Sequence, residues 1–277
     1  MSGASEFFDG KSVLVTGASS GIGEELAWQL GQAGARLTLA ARRQDRLEAL
    51  ADRLAAGGQP RPAVVPCDVT RDGDVDRAVA EAVRAWEKVD VVFANAGFGV
   101  AGALRDLSVD DYRRQFDTNV FGVLRTIYAA LPELERTHGH LAIVGSVAGW
   151  VSTPGTSPYA MSKFAVRALA DAITPELRRA GVTVTLISPG FVDSNIRRVD
   201  NTGTLHAAAP DPIPSWLVVP TETAVRQMLR AVARGRREVI VTGHGKLLVA
   251  MERFTPWLAR ALKRRLAARG GYRSEAR

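Results

Sequence analysis

Residues 12–24 read SVLVTGASSGIGE and join a short apolar run to a glycine-rich turn. The run Ser12–Thr16 has three branched apolar residues at its centre, which is typical of a strand buried on both faces of a parallel sheet. Glycines in the turn permit a sharp bend and a close approach of the backbone, and a helical pattern begins at once with Glu24. This order of elements predicts a βα unit whose helix N-terminus binds an anion.

The same alternation of short β-branched runs and longer helical patterns continues along the chain. Strand-helix-strand order gives right-handed crossovers. We therefore predict an α/β fold with a doubly wound, Rossmann-type, mostly parallel seven-stranded sheet flanked by helices. The predicted strands are Ser12–Thr16, Arg36–Ala41, Ala63–Pro66, Asp90–Ala94, His140–Gly145, Val182–Ser188 and Glu238–Thr242, and the predicted helices cover roughly 22–33, 43–56, 71–87, 109–135, 158–180 and 221–234.

Length and composition favour one domain. With 277 residues, 46% of them hydrophobic, the chain can bury one large core, and we assign residues 1–250 to a single dinucleotide-binding catalytic domain. The single cysteine, Cys67, excludes an intramolecular disulfide, and we expect a buried thiol in a cytoplasmic protein. Residues 1–11 contain Glu6 and Asp9 and no apolar run, so we expect neither a secretory signal nor a membrane anchor.

Two segments depart from the strand-helix rhythm. Residues 195–220 contain four prolines among apolar residues, and we predict a substrate lid over about 191–220, with a passive surface loop as the alternative. Residues 251–277 are predicted to form a basic amphipathic C-terminal extension. Its apolar stripe comprises Phe254, Trp257, Leu258, Ala261, Leu262 and Leu266.

The C-terminal extension carries most of the charge. From Glu252 onward there are eight basic and two acidic residues, against a net charge of +7 for the chain. Peripheral contact with an anionic membrane through residues 253–269 is one reading, and docking on the same domain or on a partner subunit is the one we favour. The rest of the chain is nearly neutral and has no nucleic-acid motif, so we expect no nucleic-acid partner.

The glycine turn and the end of the second strand predict a dinucleotide site. Gly17, Ser19, Ser20, Gly21, Ile22 and Gly23 are the expected pyrophosphate cradle. An NAD site would place an acidic residue after the second strand, where this chain has Ala41, Arg42 and Arg43. Alanine cannot accept a bond from the ribose, whereas the two arginines suit a 2′-phosphate, so NADP(H) is predicted in preference to NAD(H). The alternative is that both arginines are solvated.

A possible proton-transfer pair opens the helix predicted from residue 158. Tyr159 and Lys163 are four residues apart, so both side chains project from one helix face. A neighbouring ammonium stabilises a phenolate and lowers the pKa of the tyrosine from about 10. Tyr159 could then exchange a proton with a substrate oxygen.

These motifs together resemble the classical short-chain dehydrogenase/reductase family over about residues 11–242. The family's motifs appear in order as Thr16–Gly23, Asp68-Val69, Asn95-Ala96-Gly97, Asn119, Ser146, Tyr159 with Lys163, and Pro189-Gly190. The resemblance implies a catalytic set of Asn119, Ser146, Tyr159 and Lys163. In that set Ser146 holds the substrate oxygen, Lys163 binds the nicotinamide ribose and tunes Tyr159, and Asn119 secures a water.

The resemblance also implies further cofactor contacts and an assembly. Asp68 and Val69 would lie at the adenine, Asn95, Ala96 and Gly97 along the cofactor channel, and Pro189, Gly190, Val192 and Ser194 around the nicotinamide. The family habit of pairing through long helices implies a homodimer or homotetramer.

The substrate prediction is a small apolar ketone, aldehyde or alcohol. Ser146, Tyr159 and Trp150 are the expected substrate contacts, in a pocket with apolar neighbours. No metal site is predicted, since the four histidines have no ligand partners at suitable spacing, and His138 and His140 are expected on a solvated loop. A non-catalytic nucleotide sensor or scaffold on the same fold is the alternative function.

Overall fold

A computed structural model describes residues 2–202, 204, 206 and 213–269. Seven strands alternate with ten α-helices in this part of the chain. The strands are β1 Ser12–Thr16, β2 Arg36–Ala41, β3 Ala63–Pro66, β4 Val91–Ala94, β5 His140–Val144, β6 Thr183–Ser188 and β7 Glu238–Ile240. The helices are α1 Ser2–Phe8, α2 Gly21–Gln32, α3 Gln44–Ala56, α4 Asp74–Trp86, α5 Val109–Phe116, α6 Gly122–Thr137, α7 Ser157–Arg179, α8 Thr221–Ala233, α9 Gly243–Phe254 and α10 Pro256–Arg269.

The strands form one sheet in the order β3-β2-β1-β4-β5-β6-β7, and every pairing is parallel. The predicted doubly wound, seven-stranded, single-domain α/β fold is therefore confirmed. The strand order reverses between β1 and β4, which is the point where ligands bind in open α/β sheets. Both strands are completely buried because each sheet face is covered by an apolar cluster.

The helix predicted over 109–135 is interrupted. A π-helical turn, Asp117–Phe121, separates α5 from α6, and Asn119 lies in it with no exposed surface. Such single π turns insert an extra residue and often occur at functional sites. Apolar spacing cannot reveal this insertion, because the helical pattern continues on both sides of it.

The prediction that His140 lies on a solvated loop is wrong. His140 begins β5, is 5% exposed, and its Nε2 lies 2.8 Å from Thr185 Oγ1 on β6. Burial lowers the pKa of its imidazole to about 4, so the ring is neutral at physiological pH. His138, by contrast, is exposed and ends α6 in the left-handed conformation.

The described parts of the predicted lid lie against each other. Val192 bridges Val219, and Val219 N donates to Phe191 O at 2.9 Å. The two ends of the segment are thus tied together near the carboxyl end of β6. Residues 203, 205 and 207–212, including Leu205, Pro210 and Pro212 of the prediction, lie outside the described residues.

The described part of the C-terminal extension comprises the last turn of α9 and all of α10. Of the predicted apolar stripe, Phe254, Trp257, Leu258 and Ala261 are exposed, so docking of these side chains on their own domain is wrong. The side chains of Leu262 and Leu266, the other two members of the stripe, and residues 270–277 lie outside the described part of the chain. Among the described helices, none has the length and apolar character needed to cross a bilayer.

Candidate active site

A cleft of about 520 Å³ opens at the carboxyl ends of the strands, where the strand order reverses. It is lined by every residue predicted to bind the cofactor and by three of the four predicted catalytic residues. These are Gly17, Ser19, Ser20, Gly21, Ile22, Gly23, Arg42, Arg43, Asp68, Val69, Asn95, Ala96, Gly97, Ser146, Tyr159, Lys163, Pro189, Gly190, Val192 and Ser194.

The glycine turn is shaped for close approach of a ligand to the backbone. Gly17 and Gly21 have φ angles of +68° and +56°, which side chains rarely tolerate. A Cβ on Gly23 would lie 2.2 Å from Gly17 O, so only glycine fits where α2 meets the turn. Ser20 precedes α2 and its side chain makes no capping hydrogen bond, which leaves the first amides of the helix to an anion. The turn therefore fits a pyrophosphate.

An arginine that follows the second strand bonds to this turn. Arg43 Nη2 donates to Ser19 Oγ at 3.1 Å and to Ser19 O at 3.2 Å, and Arg43 Nε donates to Ser19 Oγ at 3.3 Å. Ala41 is buried and Arg42 is exposed, and all three line the cleft. Arg43 is therefore positioned by the glycine turn, rather than solvated as the alternative prediction had it.

Asn95 joins the two strands on either side of the reversal. Its backbone N–H donates to Thr16 Oγ1 at 3.0 Å, and its Nδ2 donates to Thr16 O at 2.9 Å. Asp68, after β3, accepts from the Thr70 amide and hydroxyl at 3.0 and 2.8 Å through one oxygen. Both residues thus shape the cleft wall in the part expected to hold the cofactor.

Ser146, Tyr159 and Lys163 meet at the far end of the cleft. Ser146 follows β5, its hydroxyl oxygen accepts from the Ala148 amide at 3.0 Å, and its side chain is near enough to Tyr159 to act on the pKa of the phenol. Lys163 Nζ lies 5.8 Å from the centre of the Tyr159 ring and donates to Val144 O at 3.0 Å. The hydroxyl that could hold a substrate oxygen therefore adjoins the phenol that could exchange a proton with it.

The charges around Tyr159 differ from the sequence expectation. Burial raises the pKa of Tyr159 above its usual value, while the hydrogen bond from Ser146 and the positive charge of Arg197 act in the opposite direction. Burial also lowers the pKa of Lys163 to about 8. The Lys163 ammonium donates to the Val144 carbonyl, and the predicted lowering of the tyrosine pKa by Lys163 stays a prediction.

Asn119 lies behind the cleft and does not line it. Its Oδ1 accepts from the Phe98 amide at 3.1 Å, and its Nδ2 donates to Phe98 O at 3.0 Å and to Ser162 Oγ at 3.2 Å. The Ser162 hydroxyl donates in turn to Tyr159 O at 2.7 Å. Asn119 thus connects the loop after β4 to the helix that carries Tyr159.

Trp150, expected to contact the substrate, is not among the residues that line the cleft. Its indole Nε1 donates to Ser188 Oγ at 3.2 Å, and the Arg167 guanidinium lies 3.3 Å from the centre of the indole ring. Trp150 follows directly after the 3₁₀ turn Val147–Gly149. The position of Trp150 therefore does not favour a substrate contact.

Two residues near the cleft were not predicted as site residues from the sequence. Arg197 lines the cleft, and its Nη1 donates to Val192 O at 3.1 Å. His244, at the start of α9, stacks on Phe191 with ring centres 5.2 Å apart, and its Nε2 accepts from the Phe191 amide at 2.9 Å. Neither belongs to a local motif. Arg197 lies on the loop after β6, and the fold brings His244 to the same loop.

Among the described residues, no group of three or more His, Cys, Asp or Glu is arranged to hold a metal ion. Cys67 lines the cleft but is only 4% exposed, and burial raises the pKa of its thiol to about 12. It therefore stays protonated at neutral pH.

Comparison with known proteins agrees with this geometry. Residues 11–204 match the family model described as short chain dehydrogenase. An uncharacterized oxidoreductase of Staphylococcus aureus (strain MRSA252) is 38% identical over 192 residues, covering 69% of this chain and 82% of the relative. The 11-beta-hydroxysteroid dehydrogenase-like 4A of Arabidopsis thaliana is 37% identical over 232 residues, covering 83% of this chain and 75% of the relative.

A solved structure has the same fold. The crystal structure of a short chain dehydrogenase/reductase from Burkholderia phymatum in complex with NAD superposes with a TM-score of 0.81. It is 26% identical in sequence, and the match covers 91% of this chain and 95% of that one.

Proposed function

The chain belongs to the short-chain dehydrogenase family, and on that premise we propose that it is an NADP(H)-dependent oxidoreductase that interconverts an apolar ketone or aldehyde and its alcohol. The observation that carries the proposal is the meeting of Ser146, Tyr159 and Lys163 in the cleft that also contains the glycine turn.

The proposed reaction divides hydride and proton between two donors. A nicotinamide, when bound, supplies or accepts the hydride at the substrate carbon. Tyr159 gives its hydroxyl proton to the carbonyl oxygen during reduction and takes it back during oxidation. The Ser146 hydroxyl, which lines the cleft with Tyr159, holds the same oxygen in place.

Lys163 and Asn119 have supporting roles in this proposal. The buried ammonium of Lys163 provides a fixed positive charge that favours the phenolate of Tyr159 and can bind the nicotinamide ribose. Asn119 is fully buried and bonds to Phe98 and Ser162, so it acts through the position of the loop and of α7. The water relay implied by the family resemblance belongs to the same proposal.

The preference for NADP(H) rests on the end of β2. Ala41 offers no acceptor to a ribose hydroxyl, and the Arg43 guanidinium is held by Ser19 beside the pyrophosphate cradle. A 2′-phosphate there would receive charge-assisted hydrogen bonds from Arg43 and from the exposed Arg42. The related Burkholderia phymatum structure is a complex with NAD, so the choice between NADP(H) and NAD(H) by this chain has to be measured directly.

The substrate is proposed to be a small apolar carbonyl compound or alcohol. Phe98, Val192, Ile196 and Val199 line the cleft and provide apolar surface. The positive charge of Arg197 acts on Tyr159 at this end of the cleft. Because such a charge attracts a carboxylate, the test compares apolar substrates with substrates that carry a carboxylate. We further propose a cytoplasmic location and a homodimeric or homotetrameric assembly.

Replacement of Tyr159 by Phe tests the chemistry. We expect NADPH to bind with an unchanged dissociation constant while kcat falls about 10³-fold, because the ring remains and only the transferable proton is lost. Absorbance of NADPH is followed with a panel of apolar ketones and aldehydes and with carboxylate-bearing analogues of equal size.

Tyr128→Phe serves as the matched control, since it removes the same hydroxyl from a tyrosine that is 72% exposed on α6 and does not line the cleft. Unchanged turnover in Tyr159→Phe would remove the tyrosine from its role. Cofactor binding without turnover of any substrate by the wild type would favour the nucleotide-sensing or scaffold alternative.

Cofactor choice is tested by replacing both arginines. Arg42→Ala/Arg43→Ala is expected to weaken NADPH binding about 10- to 100-fold, because each lost charge-assisted bond is worth about 1.5–3 kcal/mol before solvent screening. NADH binding should change less than about threefold. Isothermal titration of both cofactors measures this, and equal losses for the two would contradict the proposed 2′-phosphate site.

A further inference from the structure

Four large apolar side chains are exposed on the last two helices. Leu247, Phe254, Trp257 and Leu258 are 67%, 75%, 65% and 43% exposed, and we call them the C-terminal patch. Leu247 and Phe254 are seven residues apart on α9, so they lie on one face of that helix. A group of large exposed apolar side chains on two consecutive helices is typical of a contact with a membrane or a protein.

The patch coincides with the positive charge of the chain. Residues 243–277 contain nine basic and two acidic residues, which equals the whole net charge of +7 and leaves residues 1–242 balanced. Arg253, Arg260 and Arg264 are exposed on the same two helices, and the Arg253 guanidinium lies 5.6 Å from the Phe254 ring centre. Apolar and basic side chains are therefore intermixed on this surface.

Charge decides between the possible partners of the patch. Symmetric pairing of two copies would set each positive segment against its own counterpart, which is electrostatically unfavourable. An anionic bilayer complements the charge, and its interface accepts exposed tryptophan and phenylalanine rings. Arginine stems can lie along the apolar boundary while their guanidinium groups reach the lipid phosphates.

We propose that the C-terminal patch binds the surface of an anionic lipid membrane, with α9 and α10 lying in the interface. The binding is peripheral, since no described helix can span a bilayer. It does not depend on the proposed catalytic chemistry. The Phe191 amide bonds His244 at the start of α9, so the wall of the cleft lies within about 18 Å, one twelve-residue helix, of the membrane contact.

The proposal is tested by co-sedimentation of the full-length protein with lipid vesicles. We expect binding to vesicles with about 30% phosphatidylglycerol to be at least about tenfold tighter than binding to pure phosphatidylcholine, and to weaken steeply as salt is raised. Phe254→Ser/Trp257→Ser/Leu258→Ser and Arg253→Gln/Arg260→Gln/Arg264→Gln should each weaken the first interaction about tenfold or more.

A charge-matched control is Arg178→Gln/Arg179→Gln/Arg234→Gln. These three arginines are exposed outside the extension, so binding of this variant to the anionic vesicles should change less than about twofold. Thermal unfolding and cofactor titration check that each variant is folded. The proposal is overturned if the wild type ignores anionic vesicles or if the control loses as much binding as the patch variants. It is also overturned if the apolar variant alters only the oligomeric mass measured by light scattering, since the patch would then be a subunit contact.

Discussion

At the scale of single residues, burial of the Lys163 ammonium has an electrostatic cost. Its side chain is 5% exposed, and burial lowers its pKa to about 8 from an ordinary 10.5. The positive charge that we propose to favour a Tyr159 phenolate is therefore held against a desolvation penalty, which the hydrogen bond to Val144 O only partly offsets. In this proposal, stability and catalysis are opposed at this position.

Lys163→Met should therefore abolish activity and stabilise the cofactor-free protein. Below pH 8 the lysine is charged in both the folded and the unfolded states, and the folded state bears a penalty of about 3 kcal/mol. As pH rises from about 8 to 10.5, the folded state loses this proton first and the penalty disappears. We thus expect Lys163→Met to raise the free energy of unfolding by about 1–3 kcal/mol at pH 7, with the gain vanishing by pH 10.5.

Urea unfolding at a series of pH values measures the effect. The exposed Lys246→Met is the control and should change stability little at any pH. A less stable Lys163→Met at pH 7 would show that the hydrogen bond and packing of the lysine outweigh its desolvation.

At the scale of secondary-structure elements, α9 holds the loop that follows β6. Pro189, Gly190 and Val192 of this loop line the cleft. His244 accepts the Phe191 amide and stacks on its ring, and a Cβ on Gly190 would lie 2.5 Å from the histidine Nε2. An element beyond the matched family region thus fixes one wall of the candidate nicotinamide site.

His244→Phe keeps a ring to stack on Phe191 but removes the acceptor. We expect the dissociation constant of NADPH to rise about 3- to 10-fold, because the Phe191 amide loses a hydrogen bond worth about 1 kcal/mol and the loop becomes less fixed. His244→Gln, which offers an acceptor, should recover part of the affinity. Fluorescence titration of NADPH follows both variants, and His138→Asn is the control, since His138 is exposed at the end of α6 and does not line the cleft. Equal affinities in all three would remove His244 from this positioning role.

At the scale of the whole molecule, both faces of the sheet are covered, and large apolar side chains are exposed on the helices that cover them. Tyr128 on α6 and Met161 and Phe164 on α7 are 72%, 51% and 40% exposed. Exposed aromatic side chains on long helices are typical of subunit contacts. They support the proposed homodimer or homotetramer.

We expect the wild type to have at least twice the monomer mass in light scattering after gel filtration. Tyr128→Glu/Phe164→Glu should shift it to the monomer mass, because four charges would be buried in each symmetric contact. Leu247→Glu, equally exposed but on α9, should leave the mass unchanged. A wild-type monomer at micromolar concentration would contradict the assembly.

Much of the fold followed from local pattern. Strands such as Ser12–Thr16 and Arg36–Ala41 were predicted at their observed bounds, because strands buried on both faces are continuously apolar. The π turn at Asp117–Phe121 and the burial of His140 were not predictable, since an inserted residue leaves the apolar spacing intact and a polar ring gives no sign of a distant partner such as Thr185.

The sequence by itself determined the α/β class, the glycine turn and the set of residues that gather in the cleft, because each is written in local spacing or in an ordered series of motifs. Only the tertiary structure decided which charges act on Tyr159, where Trp150 points and what His244 holds. Those outcomes depend on burial and on interactions between residues far apart in the chain, such as Arg197 with Tyr159 and α9 with the loop after β6.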